Sequence, residues 1–287
     1  MKKVKIILPI FIILILLFYG CINIRYSTFE YNGLTRQYLL YLPDDLPDNA
    51  PLVFVLHGYT MNAFQMMEYV DMNHIADEHR FAICYPQGYV DSKGTAHWNA
   101  RLNISTIEDI GFLTELARNL QSDYGLNEDK TFICGYSNGG FMSYTLACEE
   151  PAVFTAIASV SGTMSGYTWD HRNISEPIPI LHIHGVDDEE VPIDGSMPEE
   201  GGWGGAPHVD TIISYWVNLN NCTSNETFFY PPLTNATHYF NGINGNEVWY
   251  YKIDNWGHLW PIYNPNKPDY NPGINAGEVI WEFFSKY

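Results

Sequence analysis

The chain has 287 residues, 46% of them hydrophobic and 15% aromatic, against only 16% charged. That is enough apolar material for one large buried core, and it excludes a disordered or low-complexity chain. The formal net charge of −19 argues against nucleic acid and anionic lipid headgroups as partners, because like charge repels both.

The first stretch reads separately from the rest. Lys2, Lys3 and Lys5 precede an apolar run over residues 6–18, followed by Tyr19, Gly20 and Cys21. The run is shorter than the roughly 20 residues that a spanning helix needs, so residues 1–21 read as an export signal. Gly20 before Cys21 resembles a lipoprotein lipobox, with Phe18 standing where that pattern carries Leu. A short uncleaved anchor is the alternative. Either way an extracellular or cell-surface location is expected, lipid-anchored through Cys21 or secreted, with membrane contact only through this segment. Cleavage before Cys21 removes three Lys and no acid, which makes the net charge three units more negative. Residues 22–287 are expected to form a single catalytic domain.

Residues 28–31 and 35–42 are strand-like and joined at Asn32-Gly33, a strong hairpin signal. An apolar run over 52–56 ends in His57-Gly58, a helical stretch covers about 63–79, and 81–85 is again strand-like. Ser105 with Glu108 reads as a capping box, after which Ile110, Leu113, Ala117 and Leu120 share one helical face. The pattern then predicts a strand over 131–135 and a helix over 138–149 stopped by Pro151. Strands follow over 154–160, 179–184 and 248–253, with a closing helix over 276–286. Residues 194–207, rich in Gly, Pro and Glu, break the alternation and read as a loop near the active site. Short apolar strands alternating with helices predict an α/β chain whose mostly parallel sheet is covered by helices on both faces.

Excluding Cys21, four cysteines remain, enough for two disulfides, although the count establishes none. Cys84 and Cys134 sit in apolar strand-like runs and read as buried thiols. Their spacing matches no zinc pattern. Asn-x-Ser/Thr sequons begin at Asn103, Asn173, Asn221, Asn225 and Asn235, compatible with an external location.

The chemistry centres on Gly135-Tyr136-Ser137-Asn138-Gly139, placed between a predicted strand and a predicted helix. A turn that tight tolerates only glycine at its flanks and lifts the serine hydroxyl clear of the sheet, as a nucleophile elbow does. Serine needs a base to take its proton, and the base needs an acid to orient it. In chain order Ser, acid, His, the acid falls among Asp187, Asp188, Glu189 and Glu190, and the histidine at His258. An oxyanion hole needs two backbone donors. Asn138 supplies one, and Tyr59, in the loop after His57-Gly58, the other.

The chain resembles the polyhydroxybutyrate depolymerase and feruloyl esterase group of α/β-hydrolases. The resemblance rests on Arg36 to Pro43, Leu56-His57-Gly58, Tyr85 to Gly88 with Trp98-Asn99, Glu108 to Leu113, and Gly135 to Gly140. It continues through Leu146 to Cys148, Val160 to Gly162, His182 to Gly185, Gly257 to Pro261 and Ile280 to Phe284. It implies the α/β-hydrolase fold and a serine carboxylic-ester hydrolase acting through an acyl-enzyme. Its substrates would be feruloyl or acetyl esters of polysaccharide, or polyesters such as polyhydroxybutyrate. The family pattern H-G-x-x-D-x-x-V-P assigns the acid to Asp188, with Asp187 as the alternative. Trp260 and Trp98 are candidate substrate-binding residues, and Trp203 could likewise face an aromatic substrate. The Glu189-Glu190 pair and the glycine-rich loop over 201–205 depart from the family and bear on substrate preference. His182 and His184 alternate on a strand, but nothing supports a metal pair, and neither metal nor cofactor is expected. A catalytically inactive surface-binding lipoprotein and a peptidase of the same fold are the alternative readings.

Overall fold

A computed structural model describes residues 24–174, 176–264, 266–267 and 270–287. The expected signal or anchor over residues 1–21 lies outside the described residues. Strands β1 (Ile24–Tyr31) and β2 (Leu34–Tyr41) form the predicted hairpin, and β1 begins earlier than its sequence suggests. Next come β3 (Leu52–Leu56), α1 (Ala63–Val70), α2 (Asn73–His79) and β4 (Ala82–Pro86). A short pair, β5 (Tyr89–Val90) with β6 (Ala96–His97), precedes α3 (Asp109–Tyr124), β7 (Thr131–Tyr136), α4 (Asn138–Glu149) and β8 (Ala156–Val160). The remainder is α5 (Gly166–His171), β9 (Ile180–Gly185), α6 (Val209–Leu219), β10 (Ser224–Tyr230), β11 (Thr234–Phe240), β12 (Val248–Ile253) and α7 (Ala276–Phe284).

Among the described residues ten strands make one sheet, in the order β1-β2-β4-β3-β7-β8-β9-β12-β11-β10. The six central strands, from β4 to β12, pair in parallel, while β1, β2, β10 and β11 run antiparallel at the two edges. Burial on both faces explains the central strands' composition. Along β3, Leu52, Phe54 and Leu56 enter the core on one face with α3, α4 and α6, whereas Val53 and Val55 enter the other with α1, α2 and α7. Alternation of period two therefore feeds two cores, and each residue of β3 is apolar.

Two local expectations are corrected. The single helix over 63–79 is two helices, because Asp71 takes a left-handed conformation (φ 49°) that caps α1. The capping box at Ser105 and Glu108 does not form. Glu108 is itself the N-cap of α3 and accepts from the Gly111 N–H, and the Ser105 hydroxyl has no partner. A capping box forms instead at Asn62 and Gln65, opening α1. Cys84, Cys134, Cys148 and Cys222 are free thiols. Among the described residues no helix is long and apolar enough to cross a membrane.

Strand order explains where a cleft opens. The chain goes from β3 to β4 on one side and later places β7 on the other side of β3. Connections leaving β3 and β7 diverge, and the crevice between their carboxyl ends is where α/β sheets bind ligands. Gly58 and Ser137 both line it.

Candidate active site

Ser137 sits on the predicted turn with φ 53° and ψ −118°, a conformation side-chain-bearing residues rarely adopt. The bend explains its two glycines. A Cβ on Gly135 would run into the Gly139 backbone, and one on Gly139 into the Leu56 carbonyl. The turn is held from both sides, since the Ser137 N–H donates to the Val160 carbonyl and the Ser137 carbonyl accepts from Gly140 and Phe141.

Three side chains from separate loops meet here. Ser137 Oγ lies 2.8 Å from His258 Nε2, and His258 Nδ1 lies 2.8 Å from Asp188 Oδ2. A carboxylate only accepts, so Nδ1 carries the imidazole proton and Nε2 is free to accept from the serine hydroxyl. Asp188 is 4% exposed, and its Oδ1 accepts from the backbone N–H groups of Glu190 and Val191 at 3.0 and 2.8 Å. Its orientation is thus set before His258 is considered. The alternative acid, Asp187, is exposed, and its N–H donates to the Trp256 carbonyl, which ties the acid loop to the histidine loop. From the other side, the Tyr136 hydroxyl donates to the His258 carbonyl at 2.7 Å.

Tyr59 and Asn138 flank the same space. Asn138 opens α4, and the first residues of a helix have no carbonyl one turn back to bond, which leaves its N–H available. Tyr59 lines the cleft and is 42% exposed. Trp98 links the two. Its backbone N–H donates to Asn138 Oδ1 and its carbonyl accepts from Asn138 Nδ2, at 2.7 and 3.0 Å. Its indole N–H donates to the His57 carbonyl at 3.0 Å. His57 in turn donates from Nδ1 to the Gly58 carbonyl and accepts the Gly88 N–H at Nε2. Burial pushes its pKa down to about 4, consistent with a neutral ring fixed in one tautomer.

The cleft is about 760 Å³, lined by Tyr59, Met61, Tyr136, Glu190, Met197 and Trp203 around Ser137 and His258. Trp203 makes edge contacts with Tyr59 and with Phe141, ring centres 5.7 and 5.3 Å apart. Its loop, residues 194–207, therefore does border the site. Two substrate-binding expectations are corrected. Trp98 is 0% exposed and its ring points into the core, where its indole N–H is already used. Trp260 is 2% exposed and lies on a separate groove with Tyr69, Trp256 and Tyr270. Of the acidic pair, Glu190 lines the cleft and Glu189 does not. Tyr136, Met61 and Met197 went unnoticed in the sequence. The first is marked only by its place in the elbow, and the two methionines carry no signal.

Beyond the cleft, Arg36 and Asp109 form a buried ion pair at 2.7 Å. Asp109 also accepts from the Asn99 N–H at 2.8 Å, and the Arg36 guanidinium lies 3.9 Å from the Phe112 ring centre. This network fastens the segment carrying Trp98 to β2 and α3. Desolvation raises the Asp109 pKa, against the pull of Arg36.

Comparison with known proteins places this geometry in context. The family model described as Esterase PHB depolymerase matches residues 36–191, a span that holds Ser137 and Asp188 but ends before His258. A putative esterase, NocK, of Nocardia uniformis subsp. tsuyamanensis is 31% identical over 166 residues, 57% of this chain and 48% of that protein. Feruloyl esterase C of Emericella nidulans is 30% identical over 196 residues, 67% of this chain and 64% of that one. The chain spans about half the length of the curated relatives it matches. Among solved structures, an acetyl xylan esterase from Aspergillus awamori superposes with a TM-score of 0.68 at 15% identity, covering 92% of this chain and 99% of that one. At that identity the likeness speaks for the fold alone, which is that of the α/β-hydrolases. With its family match running over more than half its length, the chain belongs to the Esterase PHB depolymerase family.

Proposed function

We propose that this protein is an exported hydrolase of carboxylic esters that works through an acyl-serine intermediate. The observation that carries the reading is the line of two 2.8 Å hydrogen bonds from Ser137 through His258 to Asp188. In this reading Ser137 Oγ attacks the ester carbonyl while His258 Nε2 takes its proton. Asp188 holds the imidazole in the Nδ1–H tautomer and stabilises its charged form. The N–H groups of Tyr59 and Asn138 receive the oxyanion. The protonated His258 then gives its proton to the leaving alcohol, and water, deprotonated by the same nitrogen, releases the acid.

The family and the curated relatives support feruloyl or acetyl esters of polysaccharide, or a polyester such as polyhydroxybutyrate, as substrate. The mostly apolar and aromatic wall of Tyr59, Met61, Met197 and Trp203 suits the acyl part of such esters. Labelling with a fluorophosphonate probe tests the mechanism, since only an activated serine reacts readily. Wild type is expected to label and Ser137→Ala to lose both label and turnover, the latter on the order of 10⁶-fold. An unlabelled wild type, or a Ser137→Ala variant that still turns over, would sink the reading. Comparing release from feruloylated oligosaccharide with release from hydroxybutyrate oligomers then separates the substrates.

A further inference from the structure

Three polar side chains lie in a line behind Asp188. Tyr144 on α4, and His182 and His184 on β9, are all fully buried. Burying such groups costs free energy unless each finds a partner, and here each does. The Tyr144 hydroxyl lies 2.8 Å from His182 Nδ1, His182 Nε2 lies 3.0 Å from His184 Nδ1, and His184 Nε2 lies 2.8 Å from the Val191 carbonyl oxygen.

The direction of every proton follows from the far end. A carbonyl only accepts, so His184 carries its proton on Nε2. Burial pushes both histidines below the ordinary range, which keeps each ring neutral with a single N–H. His184 Nδ1 is then an acceptor, His182 donates to it from Nε2, and the Tyr144 hydroxyl donates to His182 Nδ1. All four ring nitrogens are used.

The line reaches Asp188 in two ways. Val191, whose carbonyl takes the His184 proton, gives its own N–H to Asp188 Oδ1 at 2.8 Å. His184 Nε2 also lies 3.5 Å from Asp188 Oδ2, the oxygen that faces His258. We propose that His184, oriented through His182 and Tyr144, is a positioning residue that fixes the Asp188 carboxylate against His258. The proposal rests on the reading of Ser137, His258 and Asp188 as the catalytic set. It accounts for a polar alternation inside a buried strand. Leu181 and Ile183 fill one core, while His182 and His184 on the opposite face hold the turn that carries the acid.

Steady-state kinetics of purified variants on a short aryl ester test this, alongside unfolding midpoints. His184→Leu keeps the volume and loses the donor. Its kcat is expected to fall on the order of 10-fold, the rate equivalent of one lost hydrogen bond, with KM within about twofold of wild type. His184→Gln, whose amide nitrogen can reach the Val191 carbonyl, restores most of the rate. Should His184→Leu not fold, Tyr144→Phe removes one oxygen from the remote end and is expected to lower kcat a few-fold. In an Asp188→Asn background neither change costs more rate, because the group it positions is no longer a carboxylate. Equal losses in both backgrounds, or full kcat in a folded His184→Leu, overturn the proposal. So does a ¹⁵N spectrum that puts the proton of His182 or His184 on Nδ1. If Ser137→Ala is inactive while the His184 and Tyr144 variants turn over like wild type, only the positioning role falls. If Ser137→Ala stays active, the catalytic reading falls and takes the positioning role with it.

Discussion

The Tyr136 hydroxyl donates a hydrogen bond to the carbonyl of His258, so the residue beside Ser137 also grips the loop that brings the imidazole to it. The two rings lie 5.1 Å apart centre to centre. One side chain thus couples two loops that are 122 positions apart in the chain. Tyr136→Phe is expected to lower kcat about 10-fold and to cost about 1 kcal/mol of stability, the usual net worth of one hydrogen bond. Kinetics paired with urea unfolding check both numbers. An unchanged kcat would mean that the histidine loop is held well enough by its other contacts.

Trp98 gives a second prediction. Its indole N–H holds the His57 carbonyl, next to the Gly58–Tyr59 segment, and its backbone is clamped by the Asn138 side chain. Trp98→Phe keeps the ring and loses the indole donor. A fall in kcat on the order of 10-fold with little change in KM is expected, because a displaced oxyanion donor acts mainly in the transition state. A rise in KM alone would return Trp98 to a role in substrate binding.

Trp203 stands in the cleft instead. Trp203→Ala should raise KM for esters of bulky aromatic acids and leave small acetyl esters nearly unaffected. Removing a wall that the small acyl group never reaches changes little. A panel of aryl esters of graded acyl size reads this directly.

Much of this site was legible because its requirements are local. Gly135 and Gly139 are dictated by the backbone of their own turn, and the order Ser, acid, His follows from the order of strands in the sheet. What was not legible depends on distant partners. Trp260 stands two residues from His258, and Trp98 lies in a stretch shared with the family, yet a tryptophan's position does not tell on which side of its backbone the ring falls. Here the indole N–H of Trp98 found the His57 carbonyl, and the ring turned inward. Helix α1 stops at Asp71, a residue with no obvious stop signal, because a left-handed cap there turns the chain into α2. Strands β10 and β11 lie at an antiparallel edge with half-exposed faces, so their sequences carry neither the apolar run of a central strand nor a clean alternation. The hydrogen-bonded line from Tyr144 to Val191 was invisible for the same reason, since its members come from a helix, a strand and a turn.

The ion pair of Arg36 and Asp109 predicts a large stability effect. Arg36→Leu leaves a buried carboxylate without its partner and is expected to cost about 3–5 kcal/mol. Replacing both members, as Arg36→Leu with Asp109→Leu, should recover part of that loss. Denaturant unfolding of the two single variants and the double variant measures the coupling.

Stability should also fall on the acid side of neutrality. Burial lowers His182 and His184 and pushes His57 down to about 4, whereas the same groups in an unfolded chain titrate near about 6.5. Between those values the unfolded chain binds protons that the folded chain refuses. Stability is therefore lost as pH drops below about 6.5 and goes on falling until the folded-state value is passed, while above about 6.5 both states are neutral and the effect vanishes. For His57 alone the loss is on the order of 3 kcal/mol by about pH 4. Urea midpoints between pH 7.5 and 4.5 test this, and His57→Gln should show a shallower slope.

The residues at 59, 137, 188 and 258 follow four parallel strands, β3, β7, β9 and β12, in the middle of the sheet. During synthesis the hydroxyl emerges 121 positions ahead of the imidazole that would activate it. On the proposed mechanism a nascent chain still short of residue 258 lacks the base for Ser137, and the site is completed last, when the loop beyond β12 docks against Tyr136.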